Sequence, residues 1–289
     1  MNKACFECDY NQMRKISEFC HLDESITKQL FDTTELILSQ CDMSKTNPEI
    51  MGEIWQAITR IINNDDPYQK IKHEYNMLLL SMKEDFARKI ESSSDSFTTA
   101  LKIAITANLI DFAAKHSFNK DSVQEFLNNA VNTTLAIDHS QELKATLKKA
   151  NTLLCLGDNC GEIVLDKLFI EEIRKNYPTL NIYYGVRGKP IVNDVTLIDA
   201  KEVNMEEVAT VISNGDGSLG TVLEKTSPNF QQIFHDADVV ICKGQGNYEG
   251  LLGNEKENIF FMFMAKCELV AKSLGIHTLG IVCLKNDLR

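Results

Sequence analysis

The chain reads as an α/β protein, with a helical first half followed by a mostly parallel, doubly wound sheet. Three observations predict this. Of 14 glycines only Gly52 precedes Gly157, so tight turns and close backbone approach are concentrated in the second half. The first half carries apolar residues at spacings of three and four, as in Leu101, Ile105, Leu109 and Phe112. That is the period of a helix burying one face. The second half alternates short apolar runs with amphipathic stretches, the grammar of strands and covering helices.

Each element follows in order. Helices are expected over 24–41, 48–62, 68–90 and 98–116, with shorter ones over 121–127 and 141–150. The polar run before Pro67 separates the second from the third, because a residue preceding proline resists the α region. The serine-rich run ending in Asp95 and Ser96 is a loop and helix cap. Strands are expected over 152–156, 181–186, 208–212, 239–242, 259–265 and 278–284. Amphipathic helices are expected over 162–175 and from about 266 to 274. Residues 196–199 are ambiguous, and 220–225 could start a helix. The division is therefore a helical subdomain, 1–150, and an α/β core, 151–289.

Composition excludes several classes. With 289 residues and a hydrophobic fraction of 44% the chain can bury a sizeable core. Its 41 acids against 30 bases give a net charge of −11. That is a poor footprint for a phosphate backbone, so no nucleic-acid partner is expected. No apolar run approaches the roughly 18–20 residues that span a bilayer, and the first ten residues lack a signal-peptide core. Neither membrane association nor export is expected, and the location is read as cytoplasmic. Nine cysteines, an odd number spread thinly, argue for thiols rather than a disulfide framework.

Three polar clusters follow three of the expected strands. The first is Gly157-Asp158-Asn159-Cys160-Gly161-Glu162. The second is Arg187-Gly188-Lys189-Pro190, continuing to Asn193-Asp194. The third is Lys243-Gly244-Gln245-Gly246-Asn247-Tyr248-Glu249. In open α/β sheets ligands sit beyond the carboxyl ends of the strands, so the three could share one crevice. Asp158, Asn159 and Asp194 offer only hard oxygen donors, suited to Mg²⁺ or Mn²⁺, with Co²⁺ or Ni²⁺ as further occupants. Such an ion, incompletely enclosed, suits phosphoryl chemistry. Lys243 could neutralise phosphate as a point cation, and Arg187 could fork onto phosphate or sugar oxygens. The glycines after Lys243 would let N–H groups approach an anion. A second glycine loop, 213–221, could end at a helix N-terminus. There is no Walker pattern and no complete Rossmann glycine fingerprint. Glu162 could orient a ligand from behind or simply favour the first turn of its helix.

Taken together, these stretches resemble the damage-control phosphatase family, in its smaller archaeal and bacterial subfamily with an N-terminal cysteine pair. The resemblance rests on the three clusters with their flanking residues, on Lys266-Cys267, on Cys5-Phe6-Glu7-Cys8 with Gln12, and on Asp66-Pro67-Tyr68 with Lys72 and Asn76. It extends to the segment from Ala104 to Asp111, where glycine is expected at Ala107. It implies a Rossmann-like three-layer α/β/α core with a helical N-terminal subdomain. It also implies a metal-dependent phosphatase of small phosphorylated metabolites, sugar phosphates or phosphopantetheine-like compounds, acting in metabolite damage control. By the same resemblance Asp158, Asn159 and Asp194 hold a divalent ion. Lys243, Gly244, Gly246 and Asn247 border the substrate, with Asn108 and Arg187 as further contacts. The attacking group would be metal-held water or the Asp158 carboxylate. An S-adenosylmethionine-dependent carboxyl methyltransferase, a non-catalytic phosphometabolite-binding protein and a thiol regulator built on Cys5 and Cys8 are the alternatives.

Overall fold

The computed structural model describes residues 2–107, 125 and 129–286. The expected helix over 121–127 and the second half of that over 98–116 lie outside the described residues, as does Asn108.

Seven strands form one sheet: β1 (Ile137–Asp138), β2 (Thr152–Leu156), β3 (Asn181–Val186), β4 (Thr210–Ser213), β5 (Val239–Lys243), β6 (Ile259–Met264) and β7 (Ile281–Lys285). Their spatial order is β1-β7-β6-β5-β2-β3-β4. All neighbours are parallel except β6 and β7. Without β1, this is the strand order of the dinucleotide-binding fold, and the order reverses between β2 and β5. The fold is thus the expected doubly wound α/β architecture. The two-residue β1 escapes sequence reading, being too short to show a period.

Strand residues alternate between two cores. Leu153 and Cys155 face one side with Phe169, Leu79, Phe86 and Leu101. Leu154 and Leu156 face the other with Phe230, Phe234, Tyr248 and Phe261. The first side is covered by α4 (Gln69–Ser81), α5 (Lys83–Glu91), α6 (Ser96–Thr106), α7 (Ser140–Leu147) and α8 (Glu162–Asn176). The second is covered by α10 (Pro228–Asp236), α11 (Gly244–Leu251) and α12 (Glu268–Leu274). Between them in the chain lies α9 (Leu197–Glu202), opened by a capping box from Thr196 and Asp199. That box resolves the ambiguous stretch 196–199.

A third core belongs to α1 (Cys5–Phe19), α2 (Glu24–Gln40) and α3 (Asn47–Ile62). Met13, Ile16, Leu30, Ile50, Ile54 and Trp55 meet there with Ile191 from the loop after β3. Thr46 and Glu49 form a capping box that starts α3.

Three details depart from the sequence reading. The expected helix over 68–90 breaks at Met82, yet Tyr75, Leu79, Met82, Phe86 and Ile90 all stay in one core. Their spacing continues across the break, so the pattern alone looks like one helix. The helix α1 went unread because its buried face mixes Asp9 and Ser17 with Met13 and Ile16. The glycine loop 213–221 leads only to a short 3₁₀ turn, Leu223–Lys225, and not to an α-helix N-terminus. Ala107, where glycine was expected, adopts φ −51° and ψ −25°, a right-handed conformation that alanine takes without strain. No helix among the described residues is long and apolar enough to cross a membrane.

Candidate functional site

The loops after β2 and β3 are sewn together at the point where the strand order reverses. Asn159 and Asp194 form an isolated antiparallel bridge. The Cys160 N–H donates to the Asn193 carbonyl at 2.9 Å, and the Val195 N–H to the Asp158 carbonyl at 2.8 Å. The second loop turns through Val192 at φ +45°. A β-branched residue there is strained by about 1–3 kcal/mol, and such strain concentrates at functional sites.

The side chains follow from this backbone. Asp194 Oδ2 accepts from Arg187 Nε at 2.6 Å and from the Gly220 N–H at 3.4 Å. Asp158 Oδ2 accepts from Asn159 Nδ2 at 2.6 Å, and the same amide nitrogen reaches Glu162 Oε2 at 3.2 Å. The Asn159 nitrogen is thereby engaged by the two carboxylates, and a cation at this position would meet its carbonyl oxygen instead. Gly244, at φ +77°, lies directly beneath Asp158, where a Cβ would fall 1.9 Å from Oδ2. Only glycine lets the first turn of α11 approach that carboxylate.

Burial and the neighbouring charges of Asp194 and Glu162 push the Asp158 carboxyl up to about 8, against the pull of Arg187 and Lys266. Burial also raises Asp194, although Arg187 opposes it. Two crowded carboxylates beside an amide oxygen are a donor set that a hard divalent cation fits, since it would relieve their repulsion. Among the described residues no three side chains of His, Cys, Asp and Glu converge as a metal cage. An ion held here would therefore rest on Asp158, Asn159 and Asp194 and keep positions open.

Where the sequence reading turns Lys243 toward phosphate, the structure turns it inward. Its ammonium is fully buried. It donates to the Ala104 carbonyl at 2.9 Å, to Asp166 Oδ1 at 2.6 Å and to Glu162 Oε1. Those three acceptors use all three donors. Burial opposes its charge, but Asp166 and Glu162 more than compensate and raise its pKa. Tyr184 completes the chain with a hydroxyl donating to Asp166 Oδ2 at 2.8 Å. The network runs from Tyr184 through Asp166, Lys243 and Glu162 to Asn159, which gives Glu162 a contact behind the site.

Arg187 is equally enclosed. Its Nη1 reaches Thr221 Oγ1 at 3.4 Å, while Nη2 makes no hydrogen bond among the described residues and lies 4.0 Å from Asp158 Oδ1. Asn247 is a brace: its amide donates to the Gly157 and Lys243 carbonyls at 3.1 and 2.6 Å and accepts from Thr221 at 2.8 Å. Gly246 lies where Gly220 passes so closely that a Cβ on Gly220 would meet it at 2.4 Å.

Two functional candidates were missed or left without a role. Lys266, at the end of β6, is exposed and close enough for its charge to lower Asp158. Its position after an apolar strand was the available signal. Asn76 on α4 accepts from the Gly161 N–H at 2.7 Å, holding the loop that carries Asp158 and Asn159 from the helical side. Nothing in its local sequence pointed there.

The site thus lies where doubly wound α/β proteins bind their ligands, beyond the carboxyl ends of the strands. The description "Damage-control phosphatase ARMT1-like domain" matches residues 1–280, and the chain belongs to that family. It is 32% identical over 286 residues to Damage-control phosphatase PH1575 of Pyrococcus horikoshii, covering 99% of this chain and 98% of that one. It is 28% identical over 258 residues to a damage-control phosphatase of Archaeoglobus fulgidus, covering 88% of each chain. The crystal structure of the Pyrococcus horikoshii DUF89 family protein superposes with a TM-score of 0.89 at 31% identity, covering 99% of both chains. Membership supports a phosphatase role in metabolite repair.

Proposed function

We propose that the protein is a metal-dependent phosphomonoester hydrolase acting on small phosphorylated metabolites, sugar phosphates or phosphopantetheine-like compounds. The pairing of the two loops through Asn159 and Asp194 carries this reading, because it collects Asp158, Asn159 and Asp194 at the switch point. A bound Mg²⁺, Mn²⁺, Co²⁺ or Ni²⁺ would supply Lewis-acid stabilisation of the phosphoryl oxygens.

The chain's own residues do the rest. Asp158, Asn159 and Asp194 hold the ion, and Arg187 fixes the orientation of Asp194 through its Nε bond. The first turn of α11, from Gly244 to Gly246, presents backbone N–H groups that no earlier turn satisfies, a receptor for phosphate oxygens. Lys266 adds an exposed cation near enough for its charge to act on Asp158. Lys243 and Asn247 act through others: one neutralises Glu162 and Asp166, and the other ties β2, β5 and Thr221 into one frame.

The test is a panel of substrates supplied with Mn²⁺: an aryl phosphate, ketose and aldose phosphates, and phosphopantetheine. Release of phosphate that differs in kcat/KM across the panel assigns the substrate class. Absence of release throughout, with consumption of S-adenosylmethionine in a parallel assay, would replace this reading with methyl transfer.

A further inference from the structure

Lys266, the cation assigned to phosphate, is aimed by its backbone alone. Its side chain is exposed, and among the described residues its ammonium makes no hydrogen bond or ion pair. It lies in the turn between β6 and α12, past the point where the sheet holds the chain on the side of β5. The ladder between β5 and β6 ends at Lys243 and Met262, because β5 passes directly into α11.

Gln245, in the first turn of α11, takes over from that ladder. Successive N–H groups along a strand point to opposite neighbours. The Ala265 N–H points to β7 and donates to the Gly280 carbonyl at 3.0 Å. The Lys266 N–H therefore points back toward the side of β5, where it donates to Gln245 Oε1 at 2.9 Å. A backbone N–H can only donate, so this bond fixes which way the amide faces. Its nitrogen then donates to Glu249 Oε1 at 2.7 Å and to Cys267 Sγ at 3.5 Å. Burial pushes the Glu249 carboxyl up, and the bond from Gln245 opposes that rise. Cys267 Sγ in turn accepts from the Val270 N–H at 3.4 Å and caps α12. One half-buried side chain thus ties α11 to the end of β6 and the start of α12.

We infer that Gln245 is a positioning residue for phosphate. It fixes the Lys266 backbone to the first turn of α11, so that the cation and the N–H groups of that turn act on one anion as a unit. The inference rests on the phosphatase reading, which puts both groups at the phosphate. Gln245 acts through Lys266. Without its oxygen the Lys266 N–H loses its acceptor and the ammonium samples more directions. Ground-state and transition-state binding weaken alike, which shows in KM rather than in kcat.

The test is a double-variant cycle on the protein supplied with Mn²⁺. Phosphate release from p-nitrophenyl phosphate is measured, with inorganic phosphate as competing inhibitor, for the wild type, Gln245→Met, Lys266→Ala and the two combined. Each single variant is expected to raise KM and the inhibition constant of phosphate about tenfold, with kcat within about twofold. The combined variant should be no worse than the weaker single one, because both remove the same interaction. An unchanged KM in folded Gln245→Met overturns the inference. So do effects that multiply in the combined variant, the mark of two independent roles. Thermal melts report folding, and Gln245→Ala repeats the cycle if the methionine variant is unfolded. No release by the wild type overturns the phosphatase reading and the inference with it, whereas release with multiplied effects overturns the inference alone.

Discussion

Asp158 and Lys243 show how charged side chains at the ends of two paired strands, β2 and β5, take different roles. Asp158 is buried at the end of β2 with its carboxyl raised by burial and by other acids, whereas Lys243 is enclosed with its ammonium fully bonded. Lys243→Met is therefore expected to act through stability. Removing one partner of a buried ion cluster costs about 3–5 kcal/mol, because Glu162 and Asp166 stay behind without their cation. Urea unfolding measures this. Lys266→Ala is expected to do the reverse, raising KM for phosphorylated substrates while the unfolding midpoint stays within error. If Lys266→Ala unfolds the protein and Lys243→Met only raises KM, the two assignments are exchanged. Asp158, Asn159 and Asp194 could be picked out in sequence as candidates because they are hard oxygen donors in polar clusters that follow strands, and the structure brings their loops together. The inward turn of Lys243 was not legible there, since its acceptors Ala104, Glu162 and Asp166 lie 77 to 139 positions away.

At the scale of elements, the loop after β2 is gripped from the helical half by α4. Asn76 accepts from the Gly161 N–H at 2.7 Å and donates to Glu202 Oε2 at 2.8 Å and Asp199 Oδ1 at 3.3 Å. Lys72 joins at 2.8 Å from Asp66 and 3.5 Å from Asp199. Asp199 in turn caps α9 through the Thr196 N–H at 2.8 Å. One helix thus fixes the segments following both Asp158 and Asp194. Asn76→Ala is expected to cost about 1–3 kcal/mol for the buried groups left unsatisfied. It should also weaken metal affinity, because the Asn159 loop loses its anchor. Thermal melts with and without Mn²⁺ read both effects; a variant with lower stability but unchanged metal affinity would reduce Asn76 to a packing role. The strands on either side of the switch point were legible to within a residue because their apolar runs end in glycine or lysine. The helices α1, α10 and α11 were not. Buried polar residues blur α1, and α11 begins in glycines that read as a loop.

At the scale of the whole molecule, the α1–α3 unit docks on the α/β layers with a charge inside the contact. Asp9 is fully buried, and among the described residues neither carboxylate oxygen has a hydrogen-bond partner. Burial, with the nearby charge of Glu249, pushes its carboxyl up to about 7. A carboxyl raised on folding favours the protonated native state. Its contribution is fully present below the unfolded value near 3.9 and is lost as pH rises toward 7. Asp9→Asn removes that dependence. The variant should match the wild type near pH 4 and exceed it at pH 8 by on the order of 4 kcal/mol, with the gap opening between those limits. Parallel urea curves across that range test the sign; a wild type that gains on the variant as pH rises would show Asp9 to be paired as an anion.

The most direct test of the metal-centred account is phosphate release from chelator-stripped protein given back one ion at a time. Mg²⁺, Mn²⁺, Co²⁺ and Ni²⁺ are each added to the wild type, Asp158→Ala and Asp194→Ala. The account predicts turnover in the wild type that needs an added ion, and a loss of about 10³-fold or more in both variants while they remain folded. Turnover that persists without any ion, or that survives the loss of Asp158 and Asp194, would contradict it.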